Sequence, residues 1–186
     1  KMGATPPSER ALKSCIGPPL LQSFLAFFDG DKRLAEQGVT VYRERYQTLG
    51  WTECSLYDGV KECLAALTGA GKKIGLATSK PTVFAEKILA ANGLSPYFSV
   101  VVGSKLDNSF DDKGQIIARA LSLFGAKAED CVMVGDRKQD VSGAKKNGVL
   151  PVGVRVGFAA AGELEDAGAA YVADDFFALK ELLLSL

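Results

Sequence analysis

From Tyr57 onward, short apolar runs alternate with stretches whose apolar residues recur every three or four positions. That alternation predicts strands over 73–78, 98–103, 131–135, 152–156 and 171–173. It predicts helices over 60–68, 81–92, 113–124, 141–147, 162–167 and 176–186. Gly93, Gly125 and Gly148 follow three of these helices, where a left-handed residue commonly ends the last turn. Strands alternating with helices at this spacing predict an α/β fold, a parallel sheet covered on both faces. The first 56 residues carry helical periodicity only. Leu20, Leu21, Phe24, Leu25 and Phe28 form one apolar stripe, and Val41, Tyr42, Arg45 and Tyr46 lie on a second helix. Gly17-Pro18-Pro19 breaks the chain before the first stripe. Residues 1–56 therefore read as a helical appendage and residues 57–186 as the α/β domain.

The chemistry is bounded by composition. Among 186 residues there is no histidine, so histidine triads, histidine acid/base catalysis and most zinc sites are excluded. Catalysis must rest on carboxylates, Lys, Ser/Thr or a metal with oxygen ligands. Lys plus Arg equals Asp plus Glu, 22 each, which gives no basic surplus to attract nucleic acid or an anionic membrane. No apolar run approaches the ~20 residues that span a bilayer, and no secretory signal pattern precedes the first helix. Cys15, Cys54, Cys63 and Cys131 are scattered without a CxxC pair and read as small apolar residues in a reduced compartment. A cytoplasmic protein is the expectation.

The richest segment is Val132-Met133-Val134-Gly135-Asp136-Arg137-Lys138-Gln139-Asp140. A buried strand ends in a glycine turn, and helical pitch would bring Asp136 and Asp140 to the same side of the following turn. Paired acids at the carboxyl end of a buried strand suit a hard cation such as magnesium. The plainer alternative is that Asp136 caps the helix and Asp140 is an exposed first-turn acid. Thr78-Ser79-Lys80-Pro81 follows another strand, where a hydroxyl and free N–H groups at a helix start would hold a phosphate oxygen. An ordinary Ser/Thr cap with a solvated Lys80 is the competing reading. Lys113 opens a helix after Asp111-Asp112, where the helix dipole disfavours a cation by up to ~1 kcal/mol. Either anions cluster nearby, or its ammonium extends into water. All these positions fall at carboxyl ends of core strands or the helix starts after them, where open α/β sheets bind ligands. A hydroxyl, an ammonium and a cation site are the equipment that stabilises a transferring phosphoryl group.

On Leu76-Ala77-Thr78-Ser79-Lys80-Pro81, Gly103-Ser104-Lys105-Leu106-Asp107 with Lys113, and Val134-Gly135-Asp136-Arg137 with Asp140, the chain resembles the haloacid dehalogenase superfamily. Gly153-Val154 and Gly157-Phe158 fit that family's next strand and loop. The resemblance is to the phosphoglycolate-phosphatase-like and nucleotidase-like branch. It implies a Rossmann-like core (57–186), a partial helical cap (1–56), and magnesium-dependent hydrolysis of a small phosphorylated metabolite. It also implies roles: Thr78 on the phosphoryl oxygens with Ser79 and Lys80 beside it, and Lys113 balancing the charge of nucleophile and phosphate. Asp136 would bind magnesium directly and Asp140 would support it. Arg43 and the Gly17-Pro18 turn would face the leaving group from the cap, although Arg43 reads equally as an exposed helix residue.

The chain departs from the pattern in one respect. The family's nucleophile belongs to an Asp-x-Asp-Gly-Thr motif after the first core strand, and no such motif occurs here. Asp29-Gly30-Asp31 has the order Asp-Gly-Asp, no Thr follows, and the residues before it continue a helical stripe rather than a strand, so it reads as a helix stop. The family's layout would place the motif before Lys1, with Lys1-Met2-Gly3 as the tail of a cap helix. The missing strand is central in the family's sheet, between those ending at Thr78 and Gly135. Its absence predicts two unpaired ladders and an open slot, filled in a longer protein or by another chain, with homo-oligomerisation one outcome. The expected activity is an aspartyl-phosphate phosphatase whose nucleophile lies outside these residues. The alternative is a non-catalytic phosphate- or partner-binding module. A nucleotide-cofactor fold is disfavoured because no GxGxxG follows a strand. A receiver-like phosphoacceptor would need paired acids after its first strand.

Overall fold

A computed structural model of the chain describes residues 2–3, 5–16, 18–107, 109–110 and 112–186. It divides into two compact units, Lys1–Cys54 and Ser55–Leu186.

The first unit is helical. Helix α1 (Glu9–Ser14) is capped by Ser8, whose hydroxyl accepts from Ala11 N–H. Met2 and Gly3 are not helical, which corrects the expectation of a cap helix already under way there. Helices α2 (Leu20–Phe27) and α3 (Lys32–Thr48) pack closely, because Gly38 leaves room for the Phe24 ring that any Cβ would strike. Between them Asp29 (φ 51°) and Gly30 (φ 87°) take left-handed conformations. Asp31 then caps α3, accepting from Leu34 N–H at 2.9 Å. Asp29-Gly30-Asp31 is thus a helix-to-helix turn. Phe24, Val41, Tyr42 and Tyr46 line an open apolar cleft of about 610 Å³ in this unit.

The second unit carries the strands. In chain order it holds α4 (Val60–Gly69), β1 (Ile74–Pro81), α5 (Thr82–Ala91), β2 (Phe98–Ser104) and α6 (Lys113–Phe124). Then come β3 (Val132–Gly135), α7 (Lys138–Lys146), β4 (Leu150–Val154), α8 (Glu163–Asp166), β5 (Tyr171–Ala173) and α9 (Phe176–Ser185). Every strand pairing is parallel, as βαβ crossovers require. The strands form two sheets: β1-β2, and β3-β4-β5 with β4 in the middle. Among the described residues β1 and β3 share no ladder, so each presents an unpaired edge. This is the arrangement expected of a haloacid-dehalogenase-like core without its first strand.

Side chains cross where the backbone does not. Ile74 of β1 packs against a cluster of Cys63, Leu67, Val152, Val154 and Leu179. On another face, Ala77 of β1 and Met133 of β3 both pack against Ile117, Ala144 and Val149. The half-sheets are therefore held through their helices by apolar burial, worth roughly 25 cal/mol per Å².

Several boundaries differ from the sequence reading. β1 runs on to Pro81, because a bulge after Thr78 lets Pro81 pair with Ser104; α5 therefore starts at Thr82 and Pro81 is its cap. α7 starts at Lys138 rather than 141, since Asp140 serves the turn from within the helix. β4 lies two residues earlier than expected. Among the described residues, no helix is long and apolar enough to cross a membrane.

Candidate functional site

The site grows from the turn after β3. Asp140, on the first turn of α7, folds back so that Oδ2 accepts from Arg137 N–H at 3.1 Å. Gly135 makes this possible: a Cβ there would overlap the Asp140 carboxyl. The other oxygen, Oδ1, meets Lys113 Nζ at 2.8 Å, and the two side chains are only 13% and 9% exposed. Lys113 Nζ also donates to the Ala77 carbonyl at 2.9 Å. One ammonium thus ties the first residue of α6 to α7 and to β1 at Ala77, beside Thr78. The dipole penalty on a helix-opening lysine is offset by a carboxylate partner in a poorly solvated place.

The helices are set for this reach. Gly143 on α7 lets the Lys113 stem pass, with Lys113 Cγ 3.0 Å from where a Cβ would be. Asn147 Nδ2 donates to the carbonyls of Gly114 and Gly143 at 2.9 and 2.8 Å, pinning α6 to α7 next to the lysine. Asp112 caps α6 by accepting from Gln115 N–H at 3.0 Å. Asp111 and Gly17 lie outside the described residues.

At the end of β1, Thr78 Oγ1 accepts from Lys80 N–H at 3.1 Å, which shapes the turn and leaves the hydroxyl proton to donate. Ser104 Oγ donates to the Ser79 carbonyl at 2.8 Å, and Gly103 N–H donates to Thr82 Oγ1 at 2.9 Å. Gly103 is required, because a Cβ would overlap the Lys80 carbonyl. Ser79 and Lys80 are half-buried.

Asp136 is held from the opposite side. Its Oδ2 accepts from Phe158 N–H at 3.1 Å, and Gly157 lies so close that a Cβ would overlap that oxygen. The loop carrying Gly157 and Phe158 is fixed by Glu163. Glu163 Oε1 accepts from Arg137 Nε at 2.9 Å and from Lys138 N–H at 3.0 Å, while Oε2 accepts from Ala160 N–H at 3.2 Å. The Arg137 and Glu163 side chains are 12% and 13% exposed. Burial pushes the Glu163 carboxyl up, but the Arg137 guanidinium and the two backbone N–H groups outweigh it and hold it below the ordinary range.

Lys113 and Asp140 are therefore joined directly, Thr78 follows the carbonyl that Lys113 binds, and Asp136 leads the same turn as Asp140. Arg43 is on α3 of the helical unit, half-buried, and is not part of the lining of the apolar cleft there. Glu163, Thr82 and Asn147 have no site role in the sequence reading, and Ser104 enters it only within the motif Gly103-Ser104-Lys105-Leu106-Asp107. Their partners lie 21 to 33 residues away, apart from local bonds such as that to Ala160, and no periodic signal marks such pairs.

Both Asp140 oxygens are engaged, by Lys113 and by Arg137 N–H, whereas Asp136 uses only Oδ2. Among the described residues, no group of three or more His, Cys, Asp or Glu could hold a metal ion. A single free carboxylate oxygen still fits a magnesium ion, which keeps several waters and commonly takes one or two protein carboxylates beside substrate phosphate.

Known proteins share this architecture. A family described as "Haloacid dehalogenase-like hydrolase" matches residues 1–154. A 5'-nucleotidase of Pseudomonas aeruginosa is 38% identical over 185 residues, covering 100% of this chain and 84% of that protein. The tyrosine-protein kinase PtkA of Mycobacterium tuberculosis is 36% identical over 157 residues, covering 84% of this chain; the chain spans 53% of that longer protein. Among solved structures, a predicted phosphatase from Clostridium acetobutylicum superposes with a TM-score of 0.93 at 36% identity. It covers 98% of this chain and 84% of its own.

Proposed function

This chain belongs to the haloacid dehalogenase-like hydrolase family and is a phosphatase-like hydrolase of it, and from that premise we propose magnesium-dependent hydrolysis of a small phosphate monoester. The nucleophile in this reading is a carboxylate on a strand lying parallel between β1 and β3. No residue of Asp29-Gly30-Asp31 can take that part, because the segment is a turn between two helices of the other unit.

The observation that carries the reading is the junction of Lys113 with Ala77 O of β1 and with Asp140 of α7, beside the unpaired edges of β1 and β3. A carboxylate ending a strand in the slot would lie beside that ammonium. It would attack phosphorus, forming a bond from carboxylate oxygen to phosphorus as the bond to the leaving oxygen breaks; the leaving oxygen would take a proton from water, and a further water would later hydrolyse the acyl phosphate to inorganic phosphate and the free carboxylate. Thr78 O–H donates to a phosphoryl oxygen, and Lys113 offsets the negative charge that gathers there. Asp136 Oδ1 holds magnesium, and Asp140 supports the site by fixing Lys113 and the turn. Bound magnesium supplies Lewis-acid charge stabilisation to the phosphoryl oxygens. Arg43 is assigned to the leaving-group side on the family resemblance alone.

The test is magnesium-dependent phosphate release from an aryl phosphate by the protein with its sheet complete. Asp136→Asn is expected to lower turnover by at least about 100-fold, in line with the loss of a group acting on the transition state. Absence of turnover in the unsubstituted protein rejects the proposal.

A second reading is favoured by the open slot: the 186 residues bind phosphate or a partner without forming the covalent intermediate. Calorimetry with magnesium and inorganic phosphate on this chain tests binding; binding here together with no turnover by the protein with its sheet complete supports the second.

A further inference from the structure

The Arg137–Glu163 pair takes no part in the proposed reaction, and its placement is informative. Arg137 directly follows Asp136, and Glu163 begins α8 beyond the loop that carries Phe158. Glu163 engages both sides at once: Arg137 Nε and Lys138 N–H from the β3–α7 turn, and Ala160 N–H from the loop. Phe158, two residues before Ala160, donates to Asp136 Oδ2. The carboxylate of Asp136 is thereby aimed by a backbone N–H whose own position depends on Glu163. Neither partner is solvated enough to exchange its bonds for water, with side chains 12% and 13% exposed. Removing one member of such a pair leaves the other charge uncompensated, so the local geometry cannot relax without loss.

We propose that Glu163 is a positioning residue that fixes the Gly157–Phe158 loop and so orients Asp136 Oδ1 toward a divalent cation. The inference rests on the reading of Asp136 as the cation's ligand and deepens it, because it names what presets that ligand. It assigns Arg137 as the fixed post to which Glu163 is tied.

The 186-residue chain is titrated with magnesium by calorimetry and with manganese by its paramagnetic resonance signal. Glu163→Ala is expected to weaken cation affinity about 10-fold or more, within the ~10–100-fold range of partners that orient metal ligands. Glu163→Gln keeps a carbonyl for Arg137 and Lys138 but turns an NH2 toward Ala160 N–H, so it falls between. Leu164→Ala is the control for a purely structural effect: Leu164 is 1% exposed and adjoins Glu163, yet it makes none of these polar bonds. It is expected to lower the thermal midpoint while leaving affinity within about twofold, since its cost is that of a cavity. Equal losses of affinity in Leu164→Ala and Glu163→Ala overturn the inference. If Glu163→Ala does not fold, Glu163→Gln decides the matter alone, and unchanged affinity there overturns the inference. Cation binding that Asp136→Asn abolishes and the Glu163 variants leave intact overturns it while sparing the proposed function. No cation binding by the unsubstituted chain overturns the inference, and it is the absence of magnesium-dependent turnover in the protein with its sheet complete that overturns the proposed function.

Discussion

β4 and β1 are both parallel strands under helices, yet they differ in a way that their sequences do not explain. β4 has a ladder on each side, and four of its five residues, Pro151 to Val154, are buried. β1 has a ladder on one side, and all eight of its residues are half-buried, Ile74, Leu76 and Ala77 included. β3, also paired on one side only, begins with an exposed Val132. Among these three strands exposure follows the number of hydrogen-bonded neighbours, whereas β2, also paired on one side only, still buries Val102 against Ile116 and Ala120 of α6. The candidate chemistry gathers on the under-paired side: Thr78 precedes the bulge in β1, Asp136 follows β3, and Lys113 reaches across to Ala77. Both sides are held by apolar packing, and the open side adds the buried Lys113–Asp140 ion pair.

Removing that pair gives the largest expected effect. Asp140→Asn leaves Lys113 without its anion and is expected to destabilise the α/β unit by about 3–5 kcal/mol, measured by urea unfolding. A loss below about 1 kcal/mol would mean that the open side does not depend on the pair. Next come two truncations that set the sides against each other. Leu164→Ala, beneath Gly153 of β4, is expected to cost about 2–5 kcal/mol, whereas Leu76→Ala on half-buried β1 is expected to cost roughly half as much. Equal costs would break the comparison. Native-state hydrogen exchange sharpens it strand by strand: β4 amides should open only with the whole unit, and the slot-facing amides of β1 and β3 at least about tenfold more readily.

The smallest effect is on acid stability. Glu163 is held below the ordinary carboxylate range of about 4.3. Its contribution is therefore fully present above that range and is lost as pH falls through the lowered value. The stability gap between the unsubstituted protein and Glu163→Gln, followed by unfolding at stepped pH, should close in acid. A gap that widens in acid contradicts the assigned direction.

How much of this was legible beforehand depended on how far apart the partners lie. The sequence predicts α6 over 113–124 with Gly125 closing it, and the structure has those bounds, because apolar period and a left-handed glycine are local signals. The start of α7 was missed because Arg137 and Asp140 make the turn between themselves, a bond that apolar spacing does not reveal. The end of β1 was missed because Pro81 suits a helix start, and only the partner strand, through Ser104, shows that it still pairs. The divided sheet was anticipated from the family's layout rather than from any residue in the chain. Lys113 was suspected from a local conflict with the helix dipole, and Asp140 resolves that conflict. Glu163 offered no such conflict, since an acid in the first turn of a helix is ordinary.

The junction between the half-sheets is a seam stitched by side chains alone. Where a ladder joins two strands, parting them breaks a row of bonds together; here a small rotation of α6 against α7 would suffice. The α/β unit should therefore breathe along this line first, with Ile74, Ala77 and Lys113 as its threads.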